Sequence, residues 1–155
     1  MILGVDPGLK GGLALFDAVG GKLTVMDMPV VTITKAKKTK HEVSAAMLAA
    51  ALREFAPLID RAFIEKVGAM PGQGVTSMFS FGRSVGTVEG VLAALSIPTY
   101  YVTPQTWQAF VRIKGKEESR GRAAQLFPAF ADQFTRAKDD GRADAALIAW
   151  FGECQ

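Results

Sequence analysis

The sequence is short of the residues on which several common chemistries depend. Of its 155 residues, one is cysteine and one is histidine. A lone Cys154 cannot form an internal disulfide, so an intracellular, cytoplasmic setting is expected. The same scarcity leaves no Cys/His set for zinc. There is no Gly-x-x-x-x-Gly-Lys-Ser/Thr loop to cradle a nucleotide phosphate, and no nucleotide cofactor is expected. Gly-x-Ser-x-Gly is also missing, and His41 sits among lysines, which argues against a Ser-His-Asp hydrolase. No apolar run approaches the ~20 residues that span a bilayer, and the N-terminus lacks a basic-then-apolar leader pattern, so no membrane partner is expected. Without internal repeats, low-complexity tracts or linkers, residues 1–155 suit one domain with a sizeable core.

What is present is an ordinary globular composition, 49% hydrophobic and 21% charged, with a net charge of only +3. The distribution of charge says more than its sum. Lys35, Lys37, Lys38, Lys40 and His41 form one basic cluster, and Arg112, Lys114, Lys116, Arg120 and Arg122 another. Each reads either as a solvated loop or as a phosphate-binding patch.

The apolar run Ile2–Val5 does not alternate and reads as a strand at 2–6 covered on both faces. Residues 12–17 and 22–28 flank Gly20-Gly21 as a hairpin. The basic stretch 34–41 reads as a loop. Helical spacing then runs from Glu42 to Phe55 and ends at Pro57. A fourth strand is predicted at 61–65, a Gly-rich loop at 68–74, and a long helix at 76–95. Gly82, Gly86 and Gly90 share one face of that helix. Each costs about 1 kcal/mol against alanine, which implies that something packs very close. A fifth strand at 99–103 leads into a helix begun by Thr103-Pro104. Helices near 117–127 and 141–152 complete the chain. The order predicts an α/β domain with a mixed five-stranded sheet and helices on both faces.

Three carboxylate signals stand at the ends of these elements. Asp6 ends the first strand within Asp6-Pro7-Gly8, and Glu65 ends the fourth. Asp139, Asp140 and Asp144 open the last helix. Carboxylates so placed can converge and bind a hard divalent cation. Singly, each has a structural reading: a turn for Asp6, an exposed strand end for Glu65, a helix cap for Asp140. Asp144 lies at the edge of the buried stripe marked by Ala143, Leu147, Trp150 and Phe151, where a lone carboxylate is costly. Asp140 lies one turn earlier on the same side, and the repulsion between the two would be relieved by a cation. Should Asp140 cap the helix, Asp139 takes its place.

The segments 2–8, 63–67, 81–92, 102–107, 116–120 and 140–145 resemble, in order, those of RuvC-type Holliday junction resolvases, most nearly the compact kind encoded by phages and prophages. The resemblance implies a ribonuclease H-like fold, a homodimer, two Mg²⁺ or Mn²⁺ ions and paired nicks in a four-way DNA junction. It assigns metal-binding and catalysis to Asp6, Glu65, Asp140 and Asp144. Lys116 matches a lysine placed near the scissile phosphate. In many bacterial members the partner of Asp144 stands three residues before it, where this chain has Gly141. Asp140 fits a variant resembling mitochondrial and poxviral resolvases. Two further positions depart. Gln108 replaces a frequent lysine, and Gly68 replaces an aromatic that wedges into the junction.

The expected DNA-binding set is Lys35, Lys37, Lys38, Lys40, Arg83, Arg112, Lys114, Lys116 and Arg120, with Met70 or Phe79 as the replacement wedge. At a helix start, Phe79 is expected in the core, which favours Met70. Two alternatives remain: a nuclease for branched, fork or flap DNA with little junction preference, and a catalytically silent branched-DNA-binding module.

Overall fold

The computed structural model describes residues 1–35, 38–68, 72 and 74–155. Among these residues, seven strands run in chain order: β1 (Ile2–Asp6), β2 (Gly12–Asp17), β3 (Lys22–Asp27), β4 (Val30–Lys35), β5 (Lys38–Val43), β6 (Arg61–Glu65) and β7 (Thr99–Val102). Five α-helices accompany them: α1 (Ala45–Arg53), α2 (Val75–Ala94), α3 (Pro104–Val111), α4 (Ser119–Leu126) and α5 (Asp140–Glu153). The main sheet is mixed and five-stranded, in the order β3-β2-β1-β6-β7. β1 pairs antiparallel with β2 and parallel with β6, and β6 pairs parallel with β7. This is the mixed five-stranded α/β arrangement expected from the sequence. No helix among the described residues is long and apolar enough to cross a membrane.

Strand alternation divides the core in two. Leu3 and Val5 of β1, with Ala62 and Ile64 of β6, face a layer that includes Leu48 and Leu52 of α1 and Val88, Val91 and Leu92 of α2. Ile2 of β1 and Phe63 of β6 face the other layer, which holds Trp107, Ala123 and most of α5. The last helix lies directly on the sheet because glycine leaves it room. A methyl group at Gly4 would sit 2.5 Å from the Ala149 backbone nitrogen, and nearer still to the Ala145 carbonyl oxygen. At the helix start, Gly141 bridges to Gly11 in the loop after β1.

One sequence expectation is corrected. The described residues of 34–41 are no loop; residues 34–35 and 38–41 belong to the antiparallel strands β4 and β5, a pair separate from the main sheet. Val30, Val31, Thr32, Ile33 and Thr34 are all β-branched and suit a strand, a preference the dense lysines obscured. Consequently Glu42 and Val43 end β5, and α1 begins only after Ser44, whose hydroxyl accepts from the Met47 N–H at 3.3 Å. On α2, the close packing expected at the glycine face does not come from the chain itself. Among the described residues, nothing lies within 4 Å of a methyl group built at Gly82, Gly86 or Gly90. These glycines do not receive the chain's own sheet; their face is open.

Candidate active site

The alternation that builds the core also aims the carboxylates. Asp6 follows Val5 and Glu65 follows Ile64, and Val5 and Ile64 are register partners on neighbouring parallel strands. With a period of two, Asp6 shares the face of Ile2 and Gly4, and Glu65 that of Phe63. That is the face on which α5 lies. Asp6, Glu65 and Asp144 are all buried, at 8%, 4% and 1% exposure.

Local chemistry fixes each side chain. Asp6 Oδ1 accepts from the Gly8 N–H at 3.2 Å, and the Gly11 N–H closes the turn on the Gly8 carbonyl at 2.9 Å. Glu65 Oε1 accepts from Trp107 Nε1 at 3.0 Å. Trp107 is wholly buried on α3, which starts where Thr103 caps it and Pro104 supplies a ready helical φ. A hydrogen bond of this kind contributes about 0.5–1.5 kcal/mol, and losing one partner of a buried pair costs about 1–3 kcal/mol. Trp107 closes the segment 102–107 that carries part of the resemblance, but nothing in the sequence links its N–H to a carboxylate 42 residues away.

Asp139 and Asp140 separate cleanly. Asp139 is fully buried, and its oxygens are taken by the Arg136 guanidinium at 2.8 and 3.2 Å and by the Arg136 N–H at 2.8 Å. Hydrogen bonds from Arg136 hold its carboxyl below the usual carboxylate range. Asp139 stands at the cap position without a side-chain cap bond, and Asp140 is the first residue of α5. Asp140 therefore does not fold back on the helix. Its Oδ1 accepts from Arg120 Nε on α4 at 2.7 Å. A side chain at 141 is excluded, since its Cβ would lie 2.5 Å from the Gly11 carbonyl carbon. With 141 closed, the carboxylate at 140 is the one presented.

Asp6, Glu65, Asp140 and Asp144 together line one open cleft of about 300 Å³, with Lys10 and Phe81 on its walls. Asp139 is not among its lining residues. Four oxygen-donor side chains on one cleft match the preference of Mg²⁺ and Mn²⁺ for hard ligands. As the side chains stand, no three His, Cys, Asp or Glu among the described residues form a ready-made metal cluster. Asp140 is held by Arg120 and Glu65 by Trp107. Lys10, missed at the sequence level, follows Asp6 by four positions; the turn at Gly8–Gly11 brings it back to the cleft.

A second groove of about 740 Å³ continues from the cleft through Gly8, Lys10 and Phe81. It runs between the β4–β5 hairpin and the start of α2, past Lys40, His41 and the hydroxyls of Thr76, Ser77 and Ser80. Lys40 pairs with Glu42 at 3.0 Å, and Arg83 grips the same carboxylate with two bonds of 3.1 Å. Both cations hold Glu42 below its usual pKa, Lys40 foremost. Arg112 and Lys114 are exposed, whereas Arg122 donates to the Val111 carbonyl at 2.7 Å and ties α4 to α3. Lys37 and Met70 lie outside the described residues, as do the side chains of Lys35, Lys38 and Lys116. Phe79 is 66% exposed, not in the core. It precedes the buried Val88 by nine residues, half a turn round α2 at 3.6 residues per turn.

Comparison with known proteins places the fold. The solved structure of Thermus thermophilus RuvC in complex with Holliday junction substrate superposes with a TM-score of 0.64 at 15% identity, covering 96% of this chain and 88% of that one. A second Thermus thermophilus RuvC structure gives 0.57 at 15% identity, covering 98% and 94%. The chain therefore has the RuvC, ribonuclease H-like fold. In sequence it is 29% identical over 161 residues to the chloroplastic Holliday junction resolvase MOC1 of Chlamydomonas reinhardtii, a match that takes in 89% of this chain. The chain spans 18% of the length of that relative. No protein-family model matches.

Proposed function

We propose that this chain is a metal-dependent endonuclease that resolves four-way DNA junctions by paired nicks, acting as a homodimer in the cytoplasm. The observation that carries the proposal is the gathering of Asp6, Glu65, Asp140 and Asp144, from two strand ends and one helix, on a single cleft. A basic, hydroxyl-lined groove joins that cleft. The resemblance to RuvC-type resolvases, in fold and in ordered motifs, supplies the substrate class.

Two Mg²⁺ or Mn²⁺ ions held by these four carboxylates would lower the pKa of an attacking water and neutralise the leaving 3′ oxygen. The protein's own groups do the positioning. Trp107 orients Glu65, the turn at Gly8 orients Asp6, and the seating of α5 on Gly4 and Gly11 sets Asp144 and Asp140. Lys10 stands on the cleft wall to meet a phosphate, and Lys116 is assigned the same task by motif. Lys40, His41 and the hydroxyls of α2 would follow the DNA backbone away from the cleft, contacts that position the duplex without reading its sequence. For the dimer, Val75, Phe79 and the three open glycines share one exposed stripe of α2, so two such helices could approach closely. Phe79, at the start of the stripe, would serve as the wedge.

The test is cleavage of end-labelled junction, fork, flap and duplex DNA with Mg²⁺. Symmetric nicks confined to the junction are expected. Equal cutting of every branched substrate would favour the broader branched-DNA nuclease, the reading that Gly68 and Gln108 leave open. Binding without any cutting would favour the silent module.

A further inference from the structure

Asp140 stands on the rim of the cleft, against a cation from another helix. Arg120 Nε sits 2.7 Å from Asp140 Oδ1, and Arg120 Nη1 also reaches the Thr135 carbonyl at 3.4 Å. The pair is half in solvent: the side chain of Asp140 is 50% exposed and that of Arg120 33%. Asp6, Glu65 and Asp144 are each under 10% exposed. The cleft thus has a buried trio on one side and, on its rim, a carboxylate already neutralised by a guanidinium on a different helix. A rim ion pair of this exposure is weak, worth on the order of 1 kcal/mol or less, and is easily exchanged.

We infer that Arg120 is a positioning residue that gates the outer metal position, an inference resting on the metal-dependent reading above. Before DNA arrives, the guanidinium occupies Asp140 and disfavours a second divalent ion beside it. When a phosphodiester enters, it offers Arg120 a better, bidentate acceptor. The guanidinium then passes to the phosphate and Asp140 is released to the metal. Each partner ends with an opposite charge, and no charge is left unpaired at any stage. Loading of the second ion is thereby coupled to the presence of substrate, which spares the cell an idle nuclease carrying its full metal complement. From its charge alone Arg120 is expected only to contact DNA; its bond to Asp140 gives it this second task.

The experiment is Mn²⁺ binding to the full chain without DNA, followed by the loss of the free-ion EPR signal, for the native protein and for Arg120→Gln, Arg120→Lys, Asp140→Asn and Asp6→Asn. Circular dichroism establishes that each variant is folded. The native chain is expected to bind one ion tightly and a second more weakly. Arg120→Gln should tighten the second by about fivefold, the equivalent of one exposed ion pair. Arg120→Lys should fall between the two and provides the comparison should the Gln variant not fold. Asp140→Asn should abolish the second site and leave the first. Adding nicked duplex, the uncleavable product, should bring the native second site to the Arg120→Gln level. Superimposable curves for the native chain and the Arg120 variants would overturn the gate while leaving the nuclease reading intact. No Mn²⁺ binding by the native chain, or binding unchanged in Asp6→Asn, would overturn the metal-dependent reading itself, and the gate with it.

Discussion

Replacing Gly141 by alanine adds one methyl group where α5 rests on the loop after β1. The new Cβ would lie 2.5 Å from the Gly11 carbonyl carbon and 2.6 Å from its Cα, with the Lys10 carbonyl oxygen nearer still. All three are backbone atoms and cannot swing aside. To reach an ordinary separation of ~3.5 Å, the first turn of the helix must retreat by about 1 Å. Two effects oppose each other. Alanine is the better helix former by about 1 kcal/mol, whereas overpacking a closed site costs about 1–3 kcal/mol and more when nothing flexible can yield. The clash wins, and a net loss of about 1–2 kcal/mol is expected, or a fall of about 1 M in the urea midpoint for an m-value of 1–2 kcal/mol/M. The retreat also carries Asp140 and Asp144 away from Asp6, so cleavage should fall further than stability alone accounts for. The double variant Asp140→Asn/Gly141→Asp, which moves the carboxylate to the spacing of many bacterial resolvases, meets the same clash and should not recover activity. Urea melts and junction cleavage measure both. A Gly141→Ala protein as stable and as active as the native one would refute the close seating of α5 on this loop.

Trp107→Phe keeps the ring packing but removes the donor to Glu65; a loss of about 1–3 kcal/mol in a denaturant melt and slower cleavage are expected, and unchanged cleavage would free Glu65 of any dependence on Trp107. Asp139 has a depressed carboxyl pKa, caused first by its hydrogen bonds from Arg136. Its stabilisation is thus fully present above the unfolded value near 3.9 and is lost as pH falls through the lower folded value, so Asp139→Asn should flatten the acid limb of the stability profile below about pH 4. A Cβ at Gly86 meets nothing within 4 Å inside the described chain, so Gly86→Ala should leave the monomer folded and weaken self-association by light scattering; an unfolded variant would show that the α2 face is not open.

The parts of this fold that were legible in the sequence are those whose signals are local. β1 and β6 are short unbroken apolar runs cut off by Asp6 and Glu65, and α3 announces itself through Thr103-Pro104. The β4–β5 hairpin was not legible, because Lys35, Lys37, Lys38 and Lys40 mask a β-branched strand pattern. Val43 fits both the end of β5 and the apolar spacing of α1, which moved the helix start. At the site, the ends of elements pointed to Asp6, Glu65 and Asp144, and all three line the cleft. The choice between Asp139 and Asp140 turned on which arginine reaches which oxygen, Arg136 from three residues away and Arg120 from another helix. Periodicity carries no trace of such contacts. Nor could it show Phe79 exposed, since a helix start suggests burial only until the buried stripe of α2 is fixed by Val88, Val91 and Leu92.

The most direct measurement is cleavage of a labelled four-way junction by the native chain in Mg²⁺, beside Asp144→Asn and beside the native chain in excess EDTA, with junction binding followed on the same gels. Paired nicks by the native chain alone are expected, with binding retained by Asp144→Asn because DNA affinity comes from lysine and arginine and not from the carboxylates. Full cleavage in EDTA, or by Asp144→Asn, would contradict a metal-dependent nuclease site on this cleft.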